Sequence, residues 1–225
     1  MQDGSRLPPG QHSIEDLPAL HVGEVPQFDS ETWDLRIEGE VRHPRRLSYE
    51  QLRALPSVIA MSDFHCVEGW SRLDCAWEGV RFSEIVDMVS PTERARFVTV
   101  GCERAYTTSL PLSDLLRPDV LLAWGLDGEP LAPEYGFPLR LVVPHKYAYK
   151  SAKWVRWIRF TYDQELGYWE TRGYSNTADP WREERPFGRL RVAPDQSPRA
   201  TPSALQDPEG DLQGPRGVVE GRRAQ

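Results

Sequence analysis

Apolar Trp33, Leu35 and Ile37 alternate with Asp34, Arg36 and Glu38, which predicts a half-buried strand closed by Gly39. Ser48-Tyr49-Glu50-Gln51 has the spacing of a capping box, and Pro56 stops the short helix it would start. Ser57 to Met61 suits a strand. Phe82, Ile85, Val86 and Val89 then recur at helical spacing, predicting an amphipathic helix that ends by Pro91. Beyond it the pattern turns to β, with short apolar runs at Phe97–Val100, Tyr106–Leu110 and Leu121–Trp124, and a turn signal at Asp127-Gly128. Leu139 to Val143 is continuously apolar apart from Arg140, as in a strand buried on both faces, and Val155 to Thr161 alternates again. The fold class this implies is α+β, with mixed β-sheets, short helices and more strand than helix.

The 225 residues suit one domain, or one domain with a tail. Residues 1–18 carry Pro8-Pro9-Gly10 and read as a flexible lead-in. Residues 190–225 are rich in Pro, Gly and Arg with almost no aromatics, and read as a disordered tail that buries too little surface to offset its ordering entropy. One domain over residues 19–189 is left. A net charge of −7 argues against a broad nucleic-acid surface. The three cysteines, Cys66, Cys75 and Cys102, are too few for a disulfide framework, and no CxxC pair offers a zinc site. No apolar run approaches a membrane span. The first twenty residues lack an apolar signal core, and Arg45-Arg46 lies too far in for a twin-arginine signal, so the expected location is cytoplasmic.

Three segments carry candidate chemistry. In Asp63 to Arg72, Cys66 follows a strand and enters a loop with Gly69; a thiolate there suits a soft or high-valent metal, while local sequence alone favours a buried apolar cysteine. His65 is its neighbour, but adjacent residues on an extended chain face opposite ways, which disfavours a Cys/His nucleophile pair. In Tyr135 to Trp154, a buried strand runs into a loop with three lysines and two tyrosines. Arg140 within the apolar run needs a partner or ligand: either an anion such as phosphate, or a structural carboxylate beneath a solvated lysine-rich loop. Gly167 to Asn176 is aromatic-rich, and core packing explains that composition. His43, His65 and His145 share no ligand spacing, and neither GxGxxG nor a Walker A sequence occurs.

Together these segments resemble the molybdenum-binding domain of the sulfite oxidase family, above all its short, free-standing bacterial members. The likeness runs in order from about residue 19 to residue 187. It takes in Leu20 to Pro26, HCVEGWS at 65–71, WEGVRF at 77–82, AYTTSLPL at 105–112, DGEPL at 127–131, GFPLRLVVPHKYAYKSAKW at 136–154, GYWETRGY at 167–174 and ADPWREER at 178–185.

The resemblance implies the sulfite-oxidase molybdopterin-domain fold and a molybdenum-molybdopterin cofactor, a pyranopterin dithiolene with Cys66 as the protein's metal ligand. By position, Arg140, Ser151, Ala152 and Lys153 contact the pterin or its phosphate. His21 matches the N-terminal cofactor contact, and Tyr135 stands where relatives show His or Asn. Tyr174 matches the active-site tyrosine, and Arg72 and His145 shape the substrate pocket. The implied activity is oxygen-atom transfer on a small substrate, sulfoxide-like, N-oxide-like or sulfite-like. A separate protein gives or takes the electrons, since no haem or flavin motif is present. A molybdopterin-binding module without turnover, and a cofactor-free scaffold, are the alternatives. One departure bears on substrate: sulfite oxidases place an arginine five residues after the cysteine, where this chain has Ser71, then Arg72. The family's methionine-sulfoxide reductases share the C-V-E-x-W-S pattern.

Overall fold

Period-2 alternation becomes strand wherever one face finds a partner layer. The computed structural model describes residues 6–185, so the tail expected at 190–225 lies outside the described residues. In chain order the elements are β1 (His12–Ile14), β2 (Asp34–Gly39), β3 (Arg45–Ser48), α1 (Tyr49–Arg53), β4 (Ser57–His65), β5 (Trp70–Arg81) and α2 (Phe82–Val89). They continue with β6 (Phe97–Cys102), β7 (Thr107–Pro111), α3 (Leu112–Leu115), β8 (Leu121–Leu126), β9 (Glu129–Pro130), β10 (Arg140–Val142) and β11 (Val155–Thr161). The capping box forms as expected: Ser48 Oγ accepts from Gln51 N, and the Gln51 side chain accepts from Ser48 N. Helix α2 buries Phe82, Ile85 and Val89, each contributing about 1.5–3 kcal/mol before entropy costs.

The strands form two mixed sheets. One has the order β3-β2-β11-β6-β7, with β11 parallel to β2 and antiparallel to β6. The other runs β1-β5-β8-β10, with β4 added to β5 and β9 to β8. A large core joins Leu35, Ile37, Val98, Val100, Ile158 and Phe160 of the first sheet to Val80, Leu122, Trp124 and Leu141 of the second. A second cluster, with Phe64, Cys66, Trp70, Trp77, Leu121, Ala123 and Val142, covers the opposite face of the second sheet. Burial on both faces explains why β8 and β10 read as unbroken apolar runs.

Two expectations are corrected. Residues 6–18 are not a loose lead-in. Strand β1 pairs in parallel with β5, Leu17 joins the second cluster, and Arg6 bridges Asp63 and Asp74. A three-residue strand is too short to show alternation, and its anchoring bonds are to distant main chain, which composition does not register. Strand β5 does not show in the hydrophobic pattern, because Ser71, Arg72, Asp74 and Glu78 interrupt it. It is nonetheless the spine of its sheet, pairing with β1, β4 and β8.

Candidate active site

At the end of β4 the chain turns sharply. Cys66 N donates to Trp70 O and Gly69 N to Cys66 O, closing a tight turn into β5. Gly69 takes φ +101°, a conformation that disfavours any side chain. Cys66 thereby faces a cavity of about 640 Å³ beside Phe64, Val67, Glu68 and Trp70. Its thiol is pushed up to about 12, chiefly by burial. A metal ion supplies the positive charge that would reverse this and hold the thiolate.

The opposite wall comes from β10 and the loop after it. Gly136, at φ +114°, lets Arg140 and Lys153 converge; a Cβ there would stand 2.9 Å from Arg140 Cβ and 3.3 Å from Lys153 Cβ. Both cations line the cavity, and their hydrogen bonds go to main-chain carbonyls. Arg140 donates to Tyr135 O at 2.9 Å and Ser151 O at 3.3 Å, and Lys153 to Leu20 O and Glu134 O, each at 2.7 Å. The structural-carboxylate explanation of Arg140 finds no support in these contacts; its guanidinium lies instead over the rings of Phe64 and Trp77. Burial pushes Arg140 down to about 10, and burial plus the Arg140 charge push Lys153 down to about 7. Two like charges held together out of water, with Arg140 Nε unpartnered among the described residues, call for an anion.

Tyr174 closes the cavity from the C-terminal side. Its ring lies 4.7 Å from that of Trp169 and 5.3 Å from that of Tyr149. Burial and the nearby charges of Glu68 and Cys66 raise its phenol, so it stays protonated at neutral pH. Behind this wall the fully buried Lys150 pairs with Glu170 and donates to Ser109 O at 3.0 Å, and Thr108 Oγ1 reaches Glu170 Oε1 at 3.4 Å. This pair ties the 167–174 segment to the loop that carries Ser151 to Lys153.

A family model described as the oxidoreductase molybdopterin binding domain matches residues 22–169. The chain belongs to that family. The molybdopterin-binding domain is 46% identical to the uncharacterized oxidoreductase YuiH of Bacillus subtilis, over 80% of this chain and 91% of that protein. It is 32% identical to the protein-methionine-sulfoxide reductase catalytic subunit MsrP of Campylobacter jejuni, over 67% of this chain but only 56% of that protein. The crystal structure of the sulfane dehydrogenase SoxCD from Paracoccus pantotrophus shares the fold, with a TM-score of 0.58 at 21% identity, covering 62% of this chain and 41% of that one.

The residues present fit the cofactor. A single thiol faces the cavity, two cations lacking carboxylate hydrogen bonds suit its phosphate, and Trp70 Nε1 is a further buried donor without a partner among the described residues. The molybdopterin-binding domain brings His21, Cys66, Tyr135, Arg140, Ser151, Ala152, Lys153 and Tyr174 together on this cavity. Arg72 and His145 are not among its lining residues. Arg72 is held by Asp127 and donates to Glu15 O at 2.9 Å, and His145 stands 3.7 Å from Asp114. Both are therefore corrected from pocket residues to structural ones. Sequence reasoning passed over the lining residues Glu68, Trp70, Tyr106, Tyr149 and Trp169. All lie within the quoted motifs, but nothing in their spacing separates wall from core.

Proposed function

We propose that this chain transfers an oxygen atom to or from a small neutral oxide, a sulfoxide first and an N-oxide second, and exchanges electrons with a separate protein. The observation that carries this reading is the placement of charge. Arg140 and Lys153 stand together at the end of the cavity suited to phosphate, whereas the side around Cys66 and Tyr174 carries the Glu68 carboxylate. Ser71, at the position of the sulfite oxidase arginine, is fully buried, bonded to His65 and Gln11, and not among the lining residues. No cation lines the cavity beside Cys66, and the nearby Arg185 guanidinium is committed to Val67 O, so an oxyanion there would lose water with little compensation, which is costly. The likeness to a methionine-sulfoxide reductase supports the same choice.

When bound, the cofactor supplies the two-electron exchange that accompanies oxygen transfer. Cys66 offers the thiolate, and the phenol of Tyr174 can donate a hydrogen bond to the substrate oxygen. Trp70, Tyr149 and Trp169 keep the cavity largely apolar. We also infer a cytoplasmic setting, which three free cysteines support. Steady-state assays with an artificial donor and methionine sulfoxide, and with an artificial acceptor and sulfite, test the proposal. Sulfoxide should give the higher kcat/KM. Sulfite oxidation with a kcat/KM equal to or above that for the sulfoxide would overturn it.

A further inference from the structure

The family match ends at residues 22 and 169, yet the cysteine loop is held by residues outside both limits. Gln11 Nε2 donates to Cys66 O at 3.0 Å, and His12 N donates to Gly69 O at 2.9 Å. From the other end of the described chain, Arg185 Nη1 donates to Val67 O at 2.7 Å. The two ends also meet each other. A Cβ on Gly10 would stand 3.2 Å from Glu183 Oε1 and 3.3 Å from Arg185 Nη2, and one on Gly69 would stand 3.3 Å from Gly10 O. The loop is thus gripped between residues 10–12 and Arg185.

The Gln11 amide is itself oriented. Ser71 Oγ donates to Gln11 Oε1 at 3.1 Å, and a hydroxyl has only one hydrogen to give. Ser71 Oγ must therefore accept from His65 Nδ1, 2.8 Å away, which fixes that His65 tautomer. The direction runs from His65 to Ser71 to Gln11 to the carbonyl of Cys66. An arginine at position 71 would put a charge into this fully buried spot, so the departure from the sulfite oxidase pattern and the Gln11 bond belong to one arrangement.

We propose that Gln11 and Arg185 are positioning residues for Cys66, with Ser71 and His65 setting the orientation of the Gln11 amide. They hold the loop from its backbone side and so fix the direction in which Sγ enters the cavity. The proposal rests on Cys66 as the metal ligand only for its spectroscopic consequence; the grip on the loop stands on the chain's own contacts.

The test uses the cofactor-loaded full chain with Gln11→Met, Arg185→Gln and, as a control, Arg94→Gln, whose partner is the distant Glu40. Amide hydrogen exchange is followed over residues 66–70, together with metal content and the absorption of the sulfur-bound metal. Loss of one hydrogen bond should speed exchange in this loop about tenfold in each of the first two variants, with little change elsewhere. The sulfur-to-metal absorption should shift at unchanged metal content. The control should match the unmodified protein. If Gln11→Met does not fold, Arg185→Gln tests the same grip from the opposite side. Loop exchange equal to that of the control, or faster exchange spread evenly over the whole domain, would overturn the proposal. A protein lacking molybdenum but showing the localised change would overturn the metal assignment and leave the grip standing.

Discussion

Glu170→Gln offers a sharp test of how the Tyr174 wall is built. The substitution keeps shape and removes the charge facing Lys150, whose side chain is 0% exposed. Breaking a buried ion pair from one side costs about 3–5 kcal/mol. Lys150 keeps its bond to Ser109 O, so the lower end applies. At about 2–4 °C per kcal/mol for a domain of this size, the melting temperature should fall by about 6–12 °C. The loss should depend on pH. Burial already lowers Lys150 from its ordinary 10.5, and removal of Glu170 lowers it further. Between the lowered folded value and 10.5 the unfolded chain holds one proton more, so stability from this group rises with pH. The deficit of Glu170→Gln relative to the unmodified protein should therefore shrink as pH is raised toward 10 and widen as it is lowered. The double change Lys150→Met with Glu170→Leu removes both charges and should recover most of the loss. Thermal unfolding at several pH values measures all three proteins. A deficit independent of pH, or a double variant as unstable as the single one, would refute the reasoning.

Three further outcomes follow from the cavity. Cys66→Ser should remove the cysteine-thiolate contribution to the sulfur-to-metal absorption and leave that of the dithiolene, while Cys75→Ser and Cys102→Ser keep both. Arg140→Gln should reduce cofactor content about tenfold relative to Arg94→Gln, as read by pterin fluorescence after release, since a charged hydrogen bond is worth about 1.5–3 kcal/mol. Lys153 is held near 7 by burial and by Arg140, and a bound phosphate favours its protonated form. Cofactor binding to the cofactor-free chain should accordingly weaken as pH rises through about 7, and a titration of Lys153→Met should lack that step.

Legibility in the sequence followed the range of the forces involved. The capping box at Ser48 and the apolar face of α2 depend on neighbours three or four residues away, and local spacing shows them. Strands β8 and β10 were readable because two buried faces demand unbroken apolar runs. Strand β5 was not, since its polar residues are satisfied by distant partners: Ser71 by His65 and Gln11, Arg72 by Asp127. The same cause explains Arg72 in the site. Position relative to Cys66 suggested the cavity, but an ion pair 55 residues away in sequence turned its guanidinium elsewhere. Cys66, Arg140 and Lys153 were reached through ordered motifs, because the chemistry of a thiolate and of paired cations constrains residue type as well as place.

The clamp on the cysteine loop also bears on biosynthesis. A ribosome delivers Cys66 long before Tyr174 and Arg185, and sheet pairing of β4 with β5 can form once residue 81 has emerged. Until residues 148–185 follow, the thiol stands on a formed hairpin without its C-terminal wall and without one side of its grip. The cavity-lining loop at 148–153 arrives in the same late stretch. A chain that has not yet delivered residues 148–185 therefore lacks two walls of the cavity, and an assembly partner would meet the closed cysteine loop only after Arg185 has emerged.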